Sequence, residues 1–420
     1  MNDSSRPQPS SLPRTGSVNL ERPVPFLDLK RSHSPLRDRI VAALAAVCDS
    51  GAFVLGPEVE RLEQTLAEYC QVPHAIACSS GSEALLLALM ALGVGPGDEV
   101  IVPSFTFFAT AGAVTRLGAT PVFADIDPKT FNISPPDVAR LIHRTTKVIL
   151  PVHLFGQAAD MGPILALGQR FNIAVVEDAA QTIGAEYQGR RVGSLGCIGC
   201  FSFYPTKNLG AMGDAGMLTA SSAETAEKLR LLRVHGMHPR YYHSHVGINA
   251  RMDAFQAAVL NVKFELLESW TAERSRLADT YHGLFHEFGL DGVIGLPSAS
   301  PQGRHVWNQF VIRVRDGRRD ALRRHLLERK VGSEIYYPLG LHEQECFRRL
   351  GYAPTDLPET FAAAREVLAL PIFPGLTVDE QYVVVARIAE FYQSAQSRNQ
   401  VAAPVFLSRS AHRVSSSLPD

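Results

Sequence analysis

Val175-Val-Glu-Asp-Ala-Ala-Gln181 is a short apolar run that stops on an acid, and Phe201-Ser-Phe-Tyr-Pro-Thr-Lys-Asn-Leu-Gly210 follows it further along the chain with a lysine at 207. The first stretch has the β-branched, uninterrupted apolarity of a strand buried on both faces. Working outward from it, strand and helix patterns alternate from about residue 35 to about residue 220. Ala75–Cys78, Asp98–Val102, Pro121–Ala124, Val148–Val152, Ile173–Val176, Ile198–Phe203 and Gly216–Ala220 read as strands. Glu58–Tyr69, Ser82–Leu92 and Thr106–Leu117 read as helices, with Ser82 as the cap of the second. This alternation predicts an α/β fold with a mostly parallel sheet and helices on both faces.

Beyond residue 250 the pattern changes. Two long helical stretches, Met252–Trp270 and Ala272–Phe288, suit a domain junction, and the remainder mixes a strand at Gln309–Arg313 with helices near Arg318–Arg329 and Asp379–Tyr392. The expected division is a large domain over 25–265 and a smaller α+β domain over 266–398. The polar residues 1–24 and 399–420 read as disordered tails.

Composition narrows the class. The chain has 420 residues, 46% hydrophobic and 20% charged, with a formal net charge of −1, which gives no long-range pull toward nucleic acid or an anionic membrane. The N-terminus lacks the apolar core of a secretory signal, and Ala84–Leu92 is too short to span a bilayer. A cytoplasmic, reducing setting is expected, with the six cysteines acting mainly as small hydrophobes. No metal is expected. Cys197-Ile-Gly-Cys200 has no second pair, and the histidines at 235, 238, 243 and 245 lack regular ligand spacing and acidic partners. Gly93-Val-Gly-Pro-Gly97 follows a helix and precedes a strand, the wrong order for a dinucleotide loop.

Three pieces of chemistry stand out together. Ser79-Ser-Gly-Ser82 links a strand to a helix, so a phosphate placed there would meet unpartnered N–H groups at the positive end of the helix dipole. Alone, this is an ordinary capped helix. Asp178 ends a strand, where α/β sheets place their ligands. Lys207 follows an apolar strand, and burial would make its amine nucleophilic at neutral pH. A phosphate cradle, an acid and a desolvated lysine are what pyridoxal 5′-phosphate requires: donors for its phosphate, a carboxylate for its pyridine nitrogen, and an amine for its aldehyde. Phe107, within Pro103-Ser-Phe-Thr-Phe107, suits either stacking on that ring or core packing, and the residue pattern alone favours the core.

The chain resembles the sugar aminotransferases of the DegT/DnrJ/EryC1/StrS family, within fold-type I pyridoxal-phosphate enzymes, from about Phe26 to about Tyr392. The resemblance rests on Pro25-Phe-Leu-Asp-Leu29, Leu55-Gly-Pro-Glu58, Ser80-Gly-Ser82, Pro103–Phe107, Glu177–Gln181, the Lys207 segment, Gly247-Ile-Asn-Ala-Arg-Met-Asp253, and Tyr336-Tyr-Pro338 with His342. It implies a seven-stranded, mostly parallel sheet and residue roles. Lys207 would carry the cofactor covalently, Asp178 would pair with the pyridine nitrogen, and Gln181 would contact the phenolic oxygen. Gly81, Ser82 and Ser202 would hold the phosphate, and Phe107 would stack on the ring. Asn249 would reach the phosphate in a neighbouring subunit, which implies a homodimer with shared active sites.

Family members move an amino group, usually from L-glutamate, to a keto group of a nucleotide-linked sugar. Ser202-Phe-Tyr204 and Gly213-Asp-Ala-Gly216 differ from the wording of the 4-keto-sugar members, and Tyr204 with Arg240-Tyr-Tyr-His243 and Asn249-Ala-Arg-Met-Asp253 resembles the 3-keto-sugar branch. C3 is therefore the expected carbon, with the 4-keto enzyme as the alternative. Ser82 and Ala215 depart from the family's usual threonine and glycine. A non-catalytic pyridoxal-phosphate-binding regulator is the reading from another class. Tyr204, Arg251, Tyr337 and His342 are the candidate substrate contacts.

Overall fold

The apolar runs pair into one seven-stranded sheet in the computed structural model, which describes residues 18–401. In chain order the strands are β1 (His74–Cys78), β2 (Glu99–Pro103), β3 (Thr120–Ala124), β4 (Thr146–Ile149), β5 (Ala174–Asp178), β6 (Ile198–Ser202) and β7 (Gly216–Ala220). Their spatial order is β1-β7-β6-β5-β4-β2-β3. β7 runs antiparallel to β1 and β6, and the remaining pairs are parallel, as the alternating pattern predicts.

Successive strand residues feed two cores, because side chains alternate across a sheet. On β1, Ala75 and Ala77 join Leu62, Leu66 and Leu260 on one face, while Ile76 and Cys78 join Leu85, Leu89 and Leu229 on the other. The first face is covered by helices Pro57–Cys70, Met161–Phe171 and Ala254–Phe264, and the second by Gly81–Ala91, Ala109–Arg116 and Ala223–Leu232. Helix Gly81–Ala91 is apolar almost all round and nearly wholly buried. Each of its interior leucines contributes about 2 kcal/mol of burial, which anchors the helix start that faces the site.

The register decides where chemistry can occur. Gly216, the first residue of β7, lies between Cys78 and Ser202, the last residues of β1 and β6. The segments after β1, β5 and β6 therefore emerge side by side along one edge. Behind that edge Glu177 is completely buried, with its carboxylate fully engaged. Its Oε1 accepts from the amides of Leu195 and Gly196, and its Oε2 from Gly193 and the His153 ring. Because His153 Nδ1 accepts the Ala159 amide, Nε2 carries the proton given to Glu177.

The C-terminal part builds a second core on a three-stranded antiparallel sheet of β8 (Ile294–Gly295), β9 (Phe310–Val314) and β10 (Val367–Leu370). Helices Leu267–Glu287, Arg319–Glu328 and Val378–Val401 pack on it.

Several boundaries differ from expectation. The break in the long helical region falls at Glu265–Leu266 and not near residue 271. Ala257 and Leu260 face the large sheet, whereas Leu277, Tyr281 and Phe285 face the small one, and one straight helix cannot serve both. The helix expected from Thr106 begins at Ala109, because Phe105 and Thr106 are drawn into the interior as loop. The cap of helix Gly81–Ala91 is Ser80, whose Oγ accepts the Glu83 amide, and not Ser82. Residues 18–24, assigned by composition to a tail, are placed: Val24 is buried and bridges to Val331. Residues 399–401 continue the last helix. The expectations for 1–17 and 402–420 fall outside the described residues.

Replacing Glu177 with Gln puts an amide nitrogen against two N–H donors in a dry site. Glu177→Gln is expected to cost about 2–3 kcal/mol, read as a lowered urea midpoint with an unchanged slope.

Candidate active site

Lys207 reaches the interior because Pro205 and Thr206 turn the chain after β6, and the turn closes with the Lys207 amide on the Tyr204 carbonyl (2.8 Å) and the Ala211 amide on the Phe203 carbonyl (2.7 Å). Its side chain enters a cavity of about 870 Å³ that is also lined by Gly81, Ser82, Phe107, Asp178, Gln181, Ser202, Tyr204 and Tyr337. Nine of the sequence-derived candidates, Lys207 included, therefore converge on one space.

At one end, the start of helix Gly81–Ala91 faces Ser202. A Cβ at Gly81 would lie 2.6 Å from the Ser202 Cβ and 3.1 Å from its Oγ, so only glycine lets the two segments meet. The first amides of the helix and two serine hydroxyls make a cradle for a phosphate.

At the other end, Asp178 Oδ2 accepts from Thr110 Oγ1 (2.8 Å) and Oδ1 from the Ala180 amide (3.2 Å). Thr110 gives its only proton to Asp178, so it accepts from Thr106 Oγ1 at 3.2 Å. Burial pushes the Asp178 carboxyl up, while Thr110, the Ala180 amide and the Lys207 charge pull it back. Burial also lowers Lys207 to about 8, partly opposed by Asp178. The site thus holds an amine that is readily unprotonated and an acid whose anionic form needs a nearby cation.

Gln181 is fixed by its Oε1, which accepts the Phe155 amide at 2.7 Å, and its Nε2 donates to Tyr337 Oη at 3.3 Å. Burial raises the Tyr337 phenol, which keeps it a neutral donor. Phe107 is 58% exposed on the cavity wall, so the core-packing alternative does not hold. Its ring lies 6.4 Å from that of Tyr337.

Three candidates lie elsewhere. Asn249 is exposed and does not line the cavity, and Arg251 is half-buried outside it. His342 is buried, with Nδ1 at 2.6 Å from Ser104 Oγ and Nε2 at 3.2 Å from the Pro354 carbonyl. Both ring nitrogens are engaged, so His342 shapes the Ser104 loop and is not free to contact substrate. Sequence reasoning missed Thr106 and Thr110, whose four-residue spacing across a helix start was the available signal, and Phe26, Leu27 and Arg274, which reach the cavity from distant segments.

These residues fit a phosphorylated pyridine aldehyde: a cradle closed to any side chain at Gly81, a buried carboxylate, and a half-buried amine of lowered basicity. The DegT/DnrJ/EryC1/StrS aminotransferase family model matches residues 35–389. The chain belongs to this family. As a member it is a pyridoxal-phosphate-dependent aminotransferase.

The pleiotropic regulatory protein of Geobacillus stearothermophilus is 49% identical, covering 88% of this chain and 99% of that protein. The UDP-N-acetyl-3-dehydro-α-D-glucosamine 3-aminotransferase of Acidithiobacillus ferrooxidans is 44% identical, over 87% of this chain and 96% of its own length. The dTDP-3-amino-3,4,6-trideoxy-α-D-glucose transaminase of Streptomyces venezuelae is also 44% identical, over 88% and 96%. Among solved structures, S. venezuelae DesV in complex with a ketimine intermediate superposes with a TM-score of 0.84 at 42% identity, covering 88% of this chain and 98% of that one. No helix among the described residues is long and apolar enough to cross a membrane.

In protein free of cofactor, acylation of Lys207 by an amine-directed reagent should rise about tenfold per pH unit and level off above about 8, instead of near 10.5. Peptide mass spectrometry reads this, and Asp178→Asn should move the plateau to lower pH. Gly81→Ala should weaken cofactor binding by roughly ten- to a hundred-fold, measured by fluorescence titration.

Proposed function

We propose that this chain transfers an amino group from an amino acid, L-glutamate, to C3 of a nucleotide-linked 3-keto sugar. The observation that carries the chemistry is the presence of Lys207 and Asp178 in one cavity that Gly81, Ser82 and Ser202 also line. Two relatives support the choice of carbon, since both are named for 3-amino or 3-keto sugars. Tyr204, with Arg240–His243 and Asn249–Asp253, points the same way.

When bound, the cofactor would supply an aldehyde carbon and an electron-withdrawing ring. The side chains have the remaining tasks. Gly81, Ser82 and Ser202 would hold the phosphate, and Asp178, steadied by Thr110, would keep a proton on the pyridine nitrogen. Gln181 would contact the phenolic oxygen, and Phe107 would stack on the ring. The Lys207 amine, once released, takes a proton from the donor carbon and returns one to the acceptor carbon, which its lowered basicity favours. Tyr204 and Tyr337, which line the cavity, are the proposed substrate contacts, and Arg251, outside its own cavity, would serve only at a partner's site.

The working unit we propose is a cytoplasmic homodimer with shared sites, each chain divided into a large domain over 25–265 and a small one over 266–398. Asn249 is exposed and does not line its own cavity, which supports a reach toward a partner's phosphate. A second reading, a regulator without turnover, is favoured by the printed name of the relative from Geobacillus stearothermophilus. Such a regulator would hold the cofactor with the same Lys207 and Asp178, so turnover and not cofactor binding separates the two readings.

Incubation with L-glutamate and either a 3-keto or a 4-keto nucleotide sugar, followed by NMR, locates the new amine. The proposal predicts a C3 amine, and roughly 10³-fold lower turnover for Lys207→Ala. A C4 amine would select the 4-keto enzyme. Absence of turnover with both sugars, together with a cofactor spectrum indifferent to glutamate, would select the regulator.

A further inference from the structure

Lys263, in the last turn of helix Ala254–Phe264, is only 2% exposed. Its lowered basicity, to about 8, arises from burial alone, with no carboxylate offsetting it. A buried ammonium without an anionic partner is costly, so its retention calls for an account.

Its hydrogen bonds supply one. Nζ donates to the Gly210 carbonyl, which closes the turn carrying Lys207, and to His33 Nε2 at 2.9 Å. His33 is held far below its usual basicity, to about 4, by burial and by the Lys263 charge, so it is a neutral acceptor. His33 ends the short helix Leu29–His33, and the residues just before that helix, Phe26 and Leu27, line the active-site cavity. One ammonium therefore joins the catalytic turn to the N-terminal segment that forms another wall. A second, small cavity lies at this junction, bordered by Leu27, His33, Lys207, Gly210 and Lys263.

The other anchors of the turn are neutral. Asn208 Nδ2 donates to the Val306 carbonyl at 2.8 Å, and Asn308 Nδ2 donates to Asn208 Oδ1 at 2.9 Å. These hold the turn from the segment at 306–308 that leads into β9. Lys263 holds it from the large domain.

We infer that Lys263 is a positioning residue for the Lys207 amine, acting through the Gly210 carbonyl and His33 without touching substrate or cofactor. This rests on Lys207 being the amine that takes the cofactor.

The test compares Lys263→Met, which fills the space without a donor, with Lys263→Gln, which keeps a neutral donor. Cofactor-free protein is given pyridoxal 5′-phosphate, and borohydride fixes whatever has condensed with an amine, with loss of water, for mass spectrometry at Lys207. For Lys263→Met the expected result is fixing on Lys207 and kcat both at least about tenfold slower, KM within about twofold, and a Tm within about 4 °C of the parent. Lys263→Gln should recover most of both rates. Fixing and kcat within about twofold of the parent in Lys263→Met would overturn the inference. So would a Lys263→Met protein that fails to fold, because a positioning role leaves the fold intact. Failure of the parent protein to fix cofactor at Lys207 would instead overturn the reading of Lys207 itself.

Discussion

The site depends on one constraint: a half-buried amine and a buried carboxylate share one cavity, each in an environment that disfavours its charge. Burial lowers Lys207 and raises Asp178, and each partly restores the other's charged form. Hydrogen bonds from Thr110 and the Ala180 amide keep the carboxylate directed without neutralising it. In the proposed roles, a cationic pyridine nitrogen beside Asp178 would favour the carboxylate, and condensation of the aldehyde would use the uncharged Lys207 amine, so each group's shift suits its part.

The rest of the architecture serves that pairing. Register between β7 and its neighbours sets Gly81 against Ser202 and closes the phosphate end. The buried Glu177, adjacent in sequence to Asp178, gathers the Gly193–Gly196 loop that leads into β6 and so to Lys207. Helix Ala254–Phe264 supplies Lys263 to the same turn from below. Polar groups that would be liabilities in an ordinary core are here concentrated around the loop whose placement matters most.

How much of this was legible in the sequence varied with how local the cause was. The sheet strands were legible because each is a short apolar run between helices, and Lys207 and Asp178 because strand ends carry the chemistry of such folds. The cap at Ser80 was displaced by two residues, since Ser80 and Ser82 are chemically equivalent on paper and only the helix phase separates them. His342 was misplaced because a histidine in a family-like motif gives no sign that both its nitrogens are already engaged. Phe107 was assigned to the core by pattern, yet the chain beyond Pro103 leaves the sheet and turns the ring to the cavity. Arg274, Phe26 and Leu27 could not be found from sequence, because they reach the cavity only through packing of distant segments.

The central claim is that Asp178 keeps a proton on the ring nitrogen of a cofactor attached at Lys207. Nitrogen-15 NMR of the protein reconstituted with ring-labelled pyridoxal 5′-phosphate measures that proton directly. The account predicts a protonated-nitrogen shift in the parent protein across neutral pH and an unprotonated one in Asp178→Asn. The same unprotonated shift in both proteins would contradict it.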